Sequence, residues 1–99
     1  MITLNNIIEW SKPHKNKIDN ARHTIIETPT IVISIVGGGK GLYGDFKDTF
    51  ELAVFDKESG NFMTKFFYDE GSDDVIGYME SEKMLDFVNQ LTSKGFQVR

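Results

Sequence analysis

The chain contains no cysteine, only two prolines and a single tryptophan among its 99 residues. The absence of cysteine excludes disulfides, thiolate metal sites and a cysteine nucleophile. No stretch approaches the roughly 18 consecutive apolar residues that a membrane span needs, and the first residues lack the basic start and apolar core of a signal peptide. We therefore expect a cytoplasmic protein with no membrane partner.

The overall composition is that of an ordinary globular protein, with 39% hydrophobic and 26% charged residues. A chain of this length is expected to form one domain, covering residues 1–99. The net charge is −4, and all of the net negative charge lies after residue 30. Because nucleic acids are bound by clusters of Lys and Arg, this balance argues against a nucleic-acid partner.

Two segments have the periodicity of amphipathic helices. Thr3 is positioned to cap a short first helix that must end before Pro13. Ser81 is positioned to cap a second helix, and Gly95 fits the left-handed position that follows a helix. The apolar positions of this second helix recur at helical spacing: Met84, Phe87, Val88 and Leu91. The last four residues, "FQVR", are typical of a short terminal strand.

The segments between the helices predict strands. Residues 22–28 alternate with period two, and the run "IVISIV" at 31–36 predicts a central strand covered on both faces. Residues 49–56 and 62–69 predict a hairpin in which Gly60 takes a left-handed conformation. The expected fold is α+β: a three- to four-stranded, mostly antiparallel sheet with a short N-terminal helix and a C-terminal helix packed on it.

The glycine-rich stretch "GGGKGLYGD", residues 37–45, follows the central strand. Gly39, Gly41 and Gly44 fit a G-x-G-x-x-G spacing, which lets backbone amides approach an anion. A strand rather than a helix follows, and Lys40 is followed by glycine rather than Ser or Thr, so neither a dinucleotide fingerprint nor a Walker loop is complete. One hypothesis is a small-ligand domain that binds a phosphate or nucleotide through these three glycines and Lys40.

The loop that contains these glycines, residues 37–48, is long for a compact domain unless it has a function or folds over the core. Its apolar and aromatic side chains either pack back onto the sheet or offer an anchor to a partner, and tyrosine is favoured at binding hot spots. The interaction hypothesis assigns partner contacts to Lys40, Leu42, Tyr43, Asp45 and Phe46.

No catalytic set or metal site emerges from the remaining residues. His14 and His23 do not have a zinc-finger or helical ligand spacing. The acidic run at 69–74 lacks the alternating ligands of a calcium loop. Ser34 is the one polar residue in the apolar run, with no base placed by a recognisable pattern. We therefore assign no catalytic residue, cofactor or metal ligand.

These observations favour a small, acidic, non-enzymatic protein-interaction module that binds another protein through loop 37–48 and its acidic surface, and that can form a homodimer. A short, cysteine-free, acidic α+β chain is the format of many small bacteriophage accessory proteins that bind or inhibit a host factor. That format is not a family motif, and it adds only slight support. The alternative from a different class is the phosphate- or nucleotide-binding domain.

Overall fold

The computed structural model describes residues 1–14, 20–68 and 74–99. In chain order the elements are α1 (Leu4–Glu9), β1 (Lys12–Pro13), β2 (Arg22–Glu27), β3 (Ile31–Gly37), β4 (Thr49–Asp56), α2 (Thr64–Phe67), β5 (Ile76–Glu80), α3 (Ser81–Leu91) and β6 (Gln97–Val98). The α+β class is confirmed. The predicted strand number is too low, since the described residues form a six-stranded antiparallel sheet. Strands of two residues, such as β1, show no periodicity in a sequence.

The strands run in the order β1-β2-β3-β4-β5, and β6 also pairs with β2. The two-residue strands share one edge of β2, because β1 pairs near His23 and β6 pairs near Glu27. β3 lies between β2 and β4, so its predicted central position is confirmed. At its midpoint Ser34 is opposite Ile25 on one side and Ala53 on the other.

One face of this sheet carries the hydrophobic core. Alternate residues of three strands point into it: Ile26, Ile31, Ile33, Ile35, Phe50, Leu52 and Val54. The buried residues of α1 and α3 join the same cluster: Ile7, Met84, Phe87 and Val88. Each large apolar side chain buried in this way contributes roughly 2 kcal/mol to folding. The helices therefore cover the sheet on the face that holds the cluster.

Helix α1 begins as the sequence predicts. Thr3 Oγ1 accepts a hydrogen bond from the amide of Asn6, and Asn6 Oδ1 accepts one from the amide of Thr3. The hydroxyl of Thr24 donates to the carbonyl of Ile7 at 2.7 Å, which fastens the helix to β2. Pro13 lies in the edge strand β1, where a missing amide is tolerated.

The predicted hairpin of 49–56 with 62–69 is wrong in its second half. β4 forms and Gly60 has φ +77°, but within the described residues 62–68 only Phe62 pairs back, in an isolated bridge to Phe55. Asp69 lies outside the described residues. The amide of Val54 donates to Thr64 Oγ1 at 2.9 Å, so a side chain takes the place of the next ladder bond. The chain then turns into α2 at Thr64, and β5 pairs with β4 instead.

Helix α3 confirms the second helical prediction except at its cap. The N-cap residue is Glu80, without a side-chain bond, and Ser81 is the first helical residue. Gly95 has φ +120° and its amide donates to the carbonyl of Thr92, as expected for the turn after a helix. The predicted terminal strand is confirmed as β6. Most of the acidic run at 69–74 lies outside the described residues.

Candidate protein-binding surface

Loop 37–48 joins β3 to β4 and folds back over the end of the sheet. The amide of Gly38 donates to the carbonyl of Gly44 at 3.0 Å, which closes the loop at its base. A Cβ atom on Gly44 would lie 2.9 Å from the Cα of Phe50 in β4. Backbone packing against β4 therefore explains why glycine occupies position 44.

Asp45 holds the turn that leads into β4. Its Oδ1 accepts hydrogen bonds from the amides of Lys47, Asp48 and Thr49 at 2.8 to 2.9 Å. The amide bonds from Thr49, Asp48 and Lys47 lower the pKa of Asp45 to about 2. The carboxylate that the interaction hypothesis assigned to a partner is thus engaged within its own loop.

The titration of Asp45 gives a direct test of this turn. Its pKa in the folded chain lies below the ordinary value of 3.8, so its contribution to stability is complete above that value and is lost as the pH falls toward 2. We expect the amide NMR signals of Lys47, Asp48 and Thr49 to shift with a midpoint near pH 2. The Asp45→Asn variant should lose that transition, whereas a midpoint near 3.8 would show that the carboxylate is not bound by these amides.

Phe46 packs onto the sheet. Only 7% of its surface is exposed, and its ring meets that of Phe50 edge to face at 5.2 Å between centroids. Its backbone has φ +59°, an unfavourable conformation for a residue with a large side chain. The ring therefore anchors the loop in the hydrophobic core.

Tyr43 and Tyr78 form an exposed aromatic pair, which we call the tyrosine pair. Their rings are 5.8 Å apart between centroids, and the residues are 51% and 63% exposed. The amide of Tyr43 donates to Glu51 Oε1 at 3.1 Å, and the amide of Tyr78 donates to the carbonyl of Tyr43 at 2.8 Å. These two bonds tie the loop to β4 and β5, so that both backbones are fixed while both rings remain in solvent.

The backbone beneath the tyrosine pair is constrained. Tyr78 has φ +52°, which costs about 1 kcal/mol or more for a residue with a side chain. A Cβ atom on Gly77 would lie 2.9 Å from the Cβ of Tyr43. Such strain in native proteins is concentrated at functional sites. Neither of these β5 residues was identified from the sequence, although a glycine inside a short strand is a signal of close backbone approach.

Substitution of Gly77 should therefore displace Tyr43. We expect Gly77→Ala to destabilise the fold by about 2 kcal/mol, because the new methyl group overlaps the Cβ of Tyr43. Tyr43→Gly removes that Cβ, so the Gly77→Ala change should be nearly neutral in the Tyr43→Gly background. Urea denaturation of the four proteins measures this coupling. Additive losses would contradict the contact.

The tip of the loop is a turn. The amide of Leu42 donates to the carbonyl of Gly39 at 3.2 Å, and Gly41 has φ +86° in open space, where an added Cβ atom would have no neighbour within 4 Å. Lys40 is exposed and Leu42 is half-buried. Five loop amides donate to oxygen atoms of the chain, those of residues 38, 42, 43, 45 and 46. None of the five belongs to the residues of the anion hypothesis, which are Gly39, Lys40, Gly41 and Gly44.

The other residues singled out in the sequence lie elsewhere. The rings of His14 and His23 are 5.1 Å apart between centroids, beside the edge strand β1. Within residues 1–14, 20–68 and 74–99, no group of three or more His, Asp or Glu side chains could hold a metal ion. The ring of Trp10 lies 6.0 Å from that of Phe96 and packs against the core.

Comparisons of the chain with protein-family models, curated proteins and solved structures found no match. In the part of the chain that the structure describes, no helix is long and apolar enough to cross a membrane. The surface formed by the tyrosine pair and the loop tip lies on one side of the sheet end, where loop 37–48 meets β5. It offers two exposed aromatic rings on hydrogen-bonded backbones, one lysine and one partly exposed leucine.

Proposed function

We propose that this protein is a small, non-enzymatic binding module that recognises another protein through the tyrosine pair and the loop tip. The observation that carries the proposal is the exposure of Tyr43 and Tyr78 on backbones that are fixed by hydrogen bonds. Lys40 and Leu42 extend the surface along the loop.

The chemistry of this surface suits a protein partner. Tyrosine brings a large contact area at a small cost in side-chain entropy, and it is enriched among residues that dominate binding energy. Because the backbones of Tyr43 and Tyr78 are already ordered, little further entropy is lost when a partner binds. A turn that only connected two elements would not require the unfavourable backbone conformation of Tyr78.

The surface carries charges of both signs, which favours a partner with complementary charges of both signs. The amide of Ser81 donates to the carbonyl of Asp48, which brings the loop next to the start of α3. Exposed charges of both signs lie on the two segments: Asp48, Glu80 and Glu82, and Lys40, Lys47 and Lys83. Complementary charge raises the rate of association and makes it sensitive to salt. We extend the proposal to an accessory or inhibitory role in the cytoplasm, which the small acidic format supports.

Comparative affinity capture from a bacterial lysate at low salt tests the proposal. The bait proteins are the native chain, the variant Lys40→Ala/Leu42→Ala/Tyr43→Ala, and the control variant Lys65→Ala/Phe66→Ala. The control removes a lysine and an exposed aromatic residue from α2 instead. We expect a protein that is retained by the native chain and the control and lost from the triple variant.

Two results would contradict the proposal. A partner retained equally by the triple variant would place binding elsewhere. A nucleotide or phosphate compound released on denaturation of the native chain alone, with no protein retained, would favour the anion site at Gly39, Lys40, Gly41 and Gly44.

A further inference from the structure

The two histidines of the chain, His14 and His23, are brought together at the edge of the sheet. In the pairing of β1 with β2, Lys12 is opposite His23. The amide of His14 donates to the carbonyl of Ala21 at 3.0 Å, which continues this antiparallel pairing beyond β1. His14 and His23 are therefore diagonal neighbours on one face, where side chains of this size reach each other. Their ring centroids are 5.1 Å apart.

One ring nitrogen of this pair has no hydrogen-bond partner. Nδ1 of His14 is buried, and within residues 1–14, 20–68 and 74–99 it is the one buried side-chain nitrogen or oxygen atom without a hydrogen bond. Buried polar atoms in native proteins are nearly always bonded, so an exception points to a specific role. An imidazole nitrogen that keeps its lone pair is a common ligand of transition metals.

We propose that His14 and His23 bind a divalent transition metal ion of the zinc class between β1 and β2. The two imidazoles are the protein ligands, and water completes the coordination. This inference goes beyond the proposed function and does not rest on it, because it concerns a different site and a different ligand.

The spacing of the two rings suits a shared metal ion. Zinc–nitrogen bonds are about 2.0 Å long, and the centroid of an imidazole lies about 1.1 Å behind its ligating nitrogen, so the metal is about 3.1 Å from each centroid. At a tetrahedral angle of about 109°, the two centroids are then about 5 Å apart. The observed distance is 5.1 Å. The pairing of β1 with β2 therefore already sets the separation that a shared ion requires.

The other contacts of the two residues leave room for a metal. His23 has a further interaction within the chain. An imidazole has two nitrogens, and metal-bound histidines almost always use the second one for a hydrogen bond that orients the ring. The interaction of His23 is therefore compatible with ligation by its other nitrogen. Both residues are partly exposed, so rotation of the rings opens their nitrogens to an ion from solvent.

The surrounding charges favour a transition metal over magnesium or calcium. Lys12 is exposed next to His23 and repels any cation. The carboxylate of Glu51 lies beyond Val36 on the same row of the sheet and accepts a hydrogen bond from the amide of Tyr43. Magnesium and calcium depend on oxygen ligands, whereas zinc, nickel and copper bind well to imidazole. The nitrogen–metal bonds therefore decide which ion binds.

Titration with zinc chloride tests this site. The protein is prepared without a polyhistidine tag, so that His14 and His23 supply the only imidazoles. Calorimetry should show one zinc ion per chain. In NMR spectra, the ring proton signals of both histidines should shift with the same dissociation constant and should return when EDTA is added. Magnesium chloride at the same concentration should leave both signals unchanged.

Single substitutions separate ligation from a structural contact between the rings. His14→Asn and His23→Asn should each weaken zinc binding by at least about tenfold, because the loss of even an outer-shell partner of a metal ligand has an effect of that size. Lys12→Gln should strengthen binding by about threefold, because it removes a positive charge beside the ion. The control Lys83→Gln removes the same charge from the exposed side of α3 and should leave the affinity unchanged.

Three results would overturn the inference. The first is the absence of both heat and imidazole shifts at about 1 mM zinc. The second is a shift that is confined to one of the two histidines. The third is native affinity in a His14→Asn or His23→Asn variant that circular dichroism shows to be folded.

Discussion

A Phe46→Ala variant should lose about 3 kcal/mol of its free energy of unfolding, because removal of a buried aromatic ring costs both its transfer energy and the cavity that it leaves. The ring is buried against that of Phe50. Alanine has the same unfavourable backbone conformation at φ +59°, so the difference between the two proteins reports the loss of the ring. Urea denaturation followed by circular dichroism measures the loss.

The matched control for this prediction is Phe66→Ala. Phe66 is 79% exposed on α2, so the same chemical change should alter stability by less than about 0.5 kcal/mol. Equal stability of Phe46→Ala and the native protein would show that the ring does not anchor the loop. In that case the ring of Phe46 would again be a candidate for contact with a partner, as the interaction hypothesis assigned it.

The Tyr43→Ala/Tyr78→Ala variant should lose binding affinity but keep its stability, whereas Phe46→Ala loses stability. We expect partner affinity to fall by at least about 30-fold, equivalent to roughly 2 kcal/mol, because truncation of hot-spot aromatic residues has effects of this size. Stability should change by less than about 1 kcal/mol, since both rings are more than half exposed. Calorimetric titration with the captured partner measures the affinity.

Replacement by phenylalanine separates the ring from the hydroxyl. Tyr43→Phe and Tyr78→Phe should retain most of the affinity if the ring faces make the contact. Full affinity in the double alanine variant would remove the tyrosine pair from the binding surface.

Elements with a local signal could be predicted from the sequence. Helix α3 is indicated by Met84, Phe87 and Val88 at helical spacing, and β3 by its unbroken apolar run. The partner of β4 could not be predicted in this way. Residues 62–69 have strand-like composition, but the bond between Thr64 and Val54 is a tertiary contact that turns the chain into α2.

The residues of the candidate site also fall into two groups: those with a local signal in the sequence, and those whose role depends on tertiary contacts. Lys40, Leu42 and Tyr43 were identified because glycines and a tyrosine in one loop are a local signal. Tyr78 is 35 residues away from Tyr43 in the chain, and only the pairing of β5 with β4 brings the two rings together. The carboxylate of Asp45 and the ring of Phe46 stabilise the loop from within, a role that residue type alone does not reveal.

Close backbone packing explains one glycine of the loop and one glycine of β5. Gly44 permits the backbone to lie on β4, and Gly77 permits Tyr43 to lie on β5. Both glycines therefore let the loop pack closely on the sheet, an ordered arrangement that the proposed protein contact would use.

Site-specific photocrosslinking tests the proposed binding surface most directly. A benzophenone amino acid is placed at position 78 in one protein and at position 66 in the control, both of which are exposed aromatic positions. After irradiation in a bacterial lysate, we expect one dominant protein adduct from position 78 that is absent from position 66. Equal adducts from both positions, or none from position 78, would contradict a protein-binding surface at the tyrosine pair.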